Sequence, residues 1–307
     1  MGDIKLFRLD DNSVEELTGQ AVTVEKSLQN TLERHLDTFL GVRFLASEYS
    51  TGKKHAGRID TLGIDENNSP VIIEYKRAVN ENVVTQGLFY LDWLLDHKAE
   101  FELMVMRRFG SEVSDAIDWS SPRLLCIAGG FTKFDEHAVA QINRNIELYV
   151  YKYYNDGLLL LELVNATTAQ TVYKQNDLPT TTATNRNTRG KTVSDYLEQA
   201  TIQITDRYET LKAYMLALGD DVQIKILKNY IAFKRIKNFV CLEVHPQAGK
   251  ILLYLKIDPD SIKIENGFTR DVRNIGHYGT GNLEVVIASD EDIEKAKRLI
   301  DIAYDAS

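Results

Sequence analysis

Cysteine is nearly absent from this chain: two in 307 residues, Cys126 in LLCIA and Cys241 in FVCLE. Both sit in apolar, strand-like runs where a small buried thiol is the expected reading, and neither has metal-ligand spacing. The six histidines, at 35, 55, 97, 137, 245 and 277, are scattered without ligand spacing, which argues against a zinc site. No apolar run approaches twenty residues, which excludes a membrane carrier, and the Met1-Gly2-Asp3 start opens no signal peptide; the expected location is cytoplasmic. Positive charge is in deficit, with 36 Lys and Arg against 45 Asp and Glu and a net charge of −9. This balance argues against a broad basic surface, so any nucleic-acid contact must come from local patches. Neither a GxGxxG nor a Walker pattern is present, so the Gly129-Gly130 pair is no phosphate loop.

What is present is a hairpin carrying charge where charge is costly, Gly57 to Lys76, GRIDTLGIDENNSPVIIEYK. Arg58 to Ile64 and Val71 to Lys76 are β-prone arms joined by a turn over Asp65 to Pro70. Side chains alternate along a strand, so Glu74 and Lys76 share one face while Val71, Ile73 and Tyr75 share the other, with Asp60 on the neighbouring arm. Two carboxylates and an ammonium at the end of a buried strand are unfavourable together unless a cation or a phosphate is bound there. Asp60 and Glu74 are hard oxygen ligands suited to Mg²⁺, with the Tyr75 carbonyl as a further donor. Lys76 is suited to orienting a water or offsetting charge on a phosphorane-like transition state. A strand-end acid beside a surface Glu/Lys pair is the bland alternative.

The next segment, Val83 to Leu95, is a helix by its apolar spacing, with Gln86 and Tyr90 four apart on one face. Gly-Arg-Ile-Asp60, Glu74-Tyr-Lys76 and Gln86-x-x-x-Tyr90 together resemble the PD-(D/E)XK, or restriction-endonuclease-like, nuclease superfamily. The nearer likeness is to NucS-type nuclease domains, over about Val24 to Asp96; Arg58-Ile59 stands where the superfamily has a proline before the aspartate. A small C-terminal domain of unknown function follows in the proteins the whole chain resembles. The resemblance implies a metal-dependent DNA endonuclease or exonuclease. Asp60 and Glu74 would bind Mg²⁺, with Mn²⁺ able to substitute, Lys76 would assist the water, and Gln86 and Tyr90 would line the site. It also implies a glutamate of the first helix pointing into the site, and Glu25 matches that position better than Glu33. An acid in the first turn complementing the helix dipole is the alternative for Glu25.

Several basic residues are candidate strand contacts: Lys53, Lys54 and His55 in the loop leading to Asp60, and Arg77 just after the Glu-x-Lys strand. DNA is the expected partner, with a homodimer left open. The remainder supplies the frame. Val24 to Leu40, with Leu28, Leu32, Leu36 and Leu40, is expected as one amphipathic helix, and Asp10 to Gln20 as polar and turn-like. Strands are expected at Phe44 to Tyr49, Arg123 to Ala128, Ile146 to Tyr154 and Gly157 to Val164, with helices at Lys98 to Phe109 and Phe134 to Asn143. The order is α/β, a mixed central sheet flanked by helices, over residues 1–174. Residues 175–191 have no apolar period and read as a flexible linker. Residues 192–307 read as a smaller α+β domain: a helical stretch broken near Ile204, five strands including Ile262 to Asn266, and a closing helix capped by Ser289. Between Asp221 and Glu243, basic residues including Lys234, Arg235 and Lys237 interleave with Tyr230, Phe233 and Phe239, a pattern that suits a nucleic-acid strand or an ordinary solvated face over an aromatic core. A non-cleaving nucleic-acid-binding or protein-interaction module on the same fold is the alternative function.

Overall fold

The computed structural model describes residues 4–11, 13–19, 25–52, 56–77, 82–154, 157–169 and 192–307. The chain divides into two compact units, Met1–Gln170 and Thr171–Ser307. Lys53, Lys54, His55 and the 175–191 segment lie outside the described residues.

The first unit is built on a six-stranded mixed sheet. In order across the sheet, β3 (Val42–Ser50), β4 (Arg58–Asp65), β5 (Pro70–Lys76), β6 (Arg123–Ala128), β7 (Asn145–Tyr154) and β8 (Leu158–Thr167) are neighbours. The β3/β4, β4/β5 and β7/β8 pairs are antiparallel, and β5/β6 and β6/β7 are parallel. Parallel neighbours need long crossovers. The first is made by α3 (Val83–Asp96), α4 (Lys98–Phe109) and α5 (Ser111–Asp115), the second by α6 (Lys133–Ala140). All six residues of β6 are buried, as expected of a central parallel strand written as a continuous apolar run. Ile72, Leu124, Cys126, Ile146 and Leu148 form a core with Leu91, Trp93 and Leu94 of α3 and Phe101 and Val105 of α4.

Two sequence expectations are corrected here. Val24 to Leu40 is not one helix: α1 (Glu25–Arg34) ends before His35, whose φ of −134° leaves the helical region, and α2 (Leu36–Leu40) follows. Residues four apart advance by about 400°, so a leucine every fourth position drifts about 40° per step around a straight helix. The break resets that drift, and Leu28, Leu32, Leu36 and Leu40 are all buried. The Asp10–Gln20 stretch contains a strand: β1 (Leu6–Asp10) pairs antiparallel with β2 (Ser13–Leu17). Exposed ion pairs flank this ribbon, Arg8 with Glu15 at 3.3 Å and Lys5 with Glu16 at 3.2 Å, and with Leu17 its one buried strand residue it has no buried face whose alternation could be detected.

The second unit is a fully antiparallel six-stranded sheet in the order β13 (Thr269–Asp271), β14 (Leu283–Ile287), β12 (Lys250–Leu255), β11 (Asn238–His245), β10 (Ile231–Lys234) and β9 (Gln223–Ile226). Three helices, α7 (Val193–Glu198), α8 (Ile202–Leu216) and α9 (Asp290–Asp305), pack on one face. Ile204, Tyr208, Leu211 and Met215 of α8 and Ile293, Ala296 and Ile300 of α9 meet Leu242, Leu253 and Val285 there. Ser289 caps α9 through a reciprocal box with Asp292. The expected strand at Ile262 to Asn266 does not form. Ile264 is exposed, and the Glu265 amide is taken by the Thr269 hydroxyl at 2.7 Å, so β13 rather than that stretch completes the sheet edge.

Candidate functional site

The β4/β5 register pairs Thr61 with Ile73 and Leu62 with Ile72, which carries Asp60 opposite Glu74. Each carboxylate is bound by the other strand's backbone: the Asp60 amide donates to Glu74 Oε1 at 3.2 Å, and the Tyr75 amide donates to Asp60 Oδ2 at 3.0 Å. Glu74 is fully buried, and its Oε2 has no hydrogen-bond partner among the described residues. Desolvation first, and the neighbouring Asp60 charge second, push the Glu74 carboxyl up to about 9; Asp60 is also raised, chiefly by burial. The metal-free pair therefore holds a proton at neutral pH, shared within a coupled site. A buried carboxylate oxygen without a hydrogen-bond partner, beside a second acid, is satisfied either by a proton shared with that acid or by a bound cation.

Lys76 ends β5 on the same side, two residues on from Glu74, with a side chain only 16% exposed. Its Nζ lies 3.6 Å from Glu25 Oε1 at the start of α1, and the Arg77 amide donates to Glu25 Oε2 at 3.1 Å. Glu25 thus reaches the site from the first helix, but its carboxylate is engaged by Lys76 and Arg77 rather than grouped with the two acids as a metal ligand. Among the described residues no set of three or more His, Cys, Asp and Glu side chains is arranged to hold a metal ion. The donors that fit Mg²⁺ reduce to Asp60, Glu74 and the Tyr75 carbonyl. That is enough for an ion that keeps several waters and takes only one or two protein carboxylates.

Gln86 and Tyr90 come from α3. The Tyr90 hydroxyl accepts from the Arg58 amide at 3.1 Å and from Gln86 Nε2 at 3.3 Å, so both side chains stand beside the strand that carries Asp60. A side chain at Gly57 would meet the Tyr90 ring at 2.6 Å, which is why glycine precedes that strand. Arg77 is exposed at the rim.

Sequence reasoning missed the support under the site. Gln29 and Glu33 follow Glu25 at i, i+4 steps along α1 beside the leucine stripe, and that spacing is the signal that would have found them as support. Gln29 is buried; its Nε2 donates to the Asp60 carbonyl at 2.8 Å, and its Oε1 accepts from Lys26 at 3.0 Å. Glu33 accepts from the Thr61 hydroxyl at 2.6 Å. Glu48 of β3 bridges Lys26 at 2.6 Å and Arg58, and holds a left-handed φ of +53°.

The basic stretch of the second unit is corrected. Phe233, Phe239 and Tyr230 face inward, Lys234 is only 4% exposed, and Arg235 is bound to Asp221 at 2.7 Å and stacked 4.4 Å over the Tyr304 ring. Lys234 and Arg235 therefore present no open strip for phosphates, leaving Lys237 half-buried between them and β11.

A family described as "Domain of unknown function (DUF5655)" matches residues 193–307. An uncharacterized protein of Haemophilus influenzae is 28% identical over 302 residues, covering 97% of this chain and 98% of the relative. No solved structure matches. No helix among the described residues is long and apolar enough to cross a membrane.

The Glu74 shift has a direct consequence for stability. Because its folded value lies above the ordinary 4.5, the native state binds more protons than the unfolded chain between about pH 4.5 and 9. Stability of the metal-free protein is expected to fall as pH rises through that window, with a slope of up to about 1.4 kcal/mol per pH unit from this group. Glu74→Gln should flatten the profile, as read from urea midpoints at several pH values. An unchanged slope in the variant would place the pH dependence elsewhere.

Proposed function

We propose that this chain is a metal-dependent nuclease that hydrolyses phosphodiester bonds of DNA, with its active site on the β4/β5 hairpin. The observation that carries the reading is the buried Asp60/Glu74 pair with its unpartnered Glu74 oxygen, placed beside a lysine two residues along the same strand. A buried pair of acids destabilises the empty fold, and such perturbed groups concentrate where chemistry is done.

Asp60, Glu74 and the Tyr75 carbonyl would hold Mg²⁺, or Mn²⁺ in its place. A bound divalent ion supplies Lewis-acid polarisation of the scissile phosphate and a water of lowered pKa. Lys76 orients the attacking water and offsets negative charge as the water oxygen bonds to phosphorus and the ester P–O bond breaks. Glu25 limits the swing of the Lys76 side chain. Gln86 and Tyr90, locked to the start of β4, line the approach to the scissile group. Gln29 and Glu33 hold the strand beneath Asp60, so that the carboxylate pair keeps its geometry.

The test is cleavage of a panel of labelled single-stranded, duplex, branched and mismatched DNA, with RNA counterparts, in Mg²⁺ or Mn²⁺. Lys76→Ala is expected to reduce the rate by about two orders of magnitude, the usual range for one positioned proton-transfer or charge-stabilising group. Mn²⁺ affinity by calorimetry should stay intact. Loss of metal binding with the lysine would show that its role is misassigned. Binding of DNA without metal-dependent cleavage of any substrate would replace this reading with a non-cleaving module.

A further inference from the structure

The second unit has one helix-covered sheet face and, opposite it, a face over which its own loops fold. On the latter, Tyr230, Ala232, Cys241, Leu252, Tyr254 and Val272 form a small separate core. The segment 272–281 folds over it and is fixed in several places. The His277 ring stacks on Tyr254 with centroids 4.1 Å apart and planes 5° apart, and the Thr280 amide lies 3.3 Å from Cys241 Sγ. Gly279 has a φ of +76°, and a Cβ there would meet Cys241 at 2.7 Å, so the loop seats only with glycine at that point.

This fixed loop leaves the large side chain of Tyr278 55% exposed while its amide donates to Glu243 Oε1 at 3.2 Å. The other Glu243 oxygen contacts His245 Nε2 at 2.9 Å. The Glu243 side chain is only 10% exposed, and it lines a cavity of about 500 Å³ together with Tyr196, Asn229, His245, Gln247 and Tyr278. That volume lies in the range of small-molecule sites. A carboxylate offers about four lone-pair positions, and these two contacts use two of them. The acid is held rigidly, with acceptor capacity to spare, in a cavity lined by two aromatic side chains.

From this juxtaposition of a fixed carboxylate, two tyrosines and two amides in one cavity, we propose that the second unit binds a guanine base. Among the four bases only guanine presents two adjacent donors, N1–H and the 2-amino group, to a single carboxylate. Adenine and cytosine each place a ring acceptor beside their amino donor, and thymine flanks its one N–H with two carbonyls. Tyr278 and Tyr196 supply stacking surface of the kind that takes unpaired bases. The Asn229 and Gln247 amides supply donors for O6 and N7. The choice of a base over other planar donors rests on the nucleic-acid substrate proposed above.

Deoxyguanosine titrated into the full-length protein, followed by calorimetry and ligand-observed NMR, tests the site directly. Saturable binding is expected, at least tenfold tighter than for deoxyadenosine, deoxycytidine or thymidine. Glu243→Gln should weaken it by about ten- to a hundredfold, the range of one bidentate base contact. Tyr278→Ala, at an exposed position that leaves the core intact, should weaken it by about tenfold and leave the melting temperature unchanged. Asp60→Asn should bind deoxyguanosine like the wild type, so a failed cleavage assay and a failed base site are told apart. Wild-type affinity in Tyr278→Ala, tighter binding of agmatine than of deoxyguanosine, or no saturable deoxyguanosine binding would each overturn the proposal.

Discussion

Asp60→Asn and Glu74→Gln are each expected to lower metal-dependent cleavage by at least about a thousandfold, equivalent to the several kcal/mol of charge stabilisation that an ion held by these carboxylates provides. The same substitutions should leave the fold intact and raise the melting temperature of the metal-free protein. In Glu74→Gln the amide cannot ionise, so the buried site no longer has to hold a proton between two acids. In Asp60→Asn the charge that raises Glu74 is gone. Activity and stability thus move in opposite directions at one site, which a purely structural acid pair would not produce. The readouts are single-turnover cleavage in Mn²⁺ and thermal unfolding in chelator. Cleavage retained in either variant would sink the proposed site. Loss of cleavage with a lowered melting temperature would mark the residues as structural.

The second large effect lies at the opposite end of the same sheet. Arg123, buried at the start of β6, binds Glu147 through two parallel contacts of 2.8 Å and Asp65 at 3.0 Å; the Tyr149 hydroxyl donates to Glu147 at 2.6 Å. The two carboxylates raise Arg123 further above its ordinary range despite its burial. Asp65 also closes the β4/β5 hairpin by accepting the Asn67 and Ser69 amides at 2.9 and 2.8 Å. One guanidinium therefore ties the hairpin that carries the catalytic candidates to β6 and β7. Arg123→Ala leaves two buried acids facing each other without a cation. The expected cost is about 3 to 5 kcal/mol, a loss of roughly 10 °C in melting temperature for a unit of this size. Arg123→Met, which fills the space without restoring charge, should be no better unless Asp65 and Glu147 are replaced as well. A triple apolar replacement that recovers stability would show that the network specifies register more than it stabilises. A change below about 1 kcal/mol in Arg123→Ala would mean that water reaches the two acids.

These two clusters show how differently sequence and tertiary structure contribute. Asp60, Glu74 and Lys76 were legible because strand alternation is local: once Arg58 to Lys76 reads as a hairpin, period-two geometry and the turn between its arms determine which side chains meet. Gln86 and Tyr90 were legible for the parallel reason on a helix. The leucine row of α1 and the apolar run of β6 likewise announced what they bury. Arg123, Asp65 and Glu147 carried no such signal, because they are far apart in sequence and meet only through the parallel pairing of β5, β6 and β7. Gln29 under Asp60 depends on how α1 docks on the sheet, and the break at His35 that permits this docking follows from packing rather than local propensity. In the second unit, the residues between Lys225 and Phe239 fitted a nucleic-acid surface and a solvated strand equally well. The burial of Lys234 and the engagement of Arg235 by Asp221 and the Tyr304 ring decided against the surface, and no local pattern specifies either. The Glu243 cavity was invisible for the same reason: its carboxylate comes from β11, its aromatic side chains from α7 and from a glycine-bearing loop, and only antiparallel closure of the sheet brings them together.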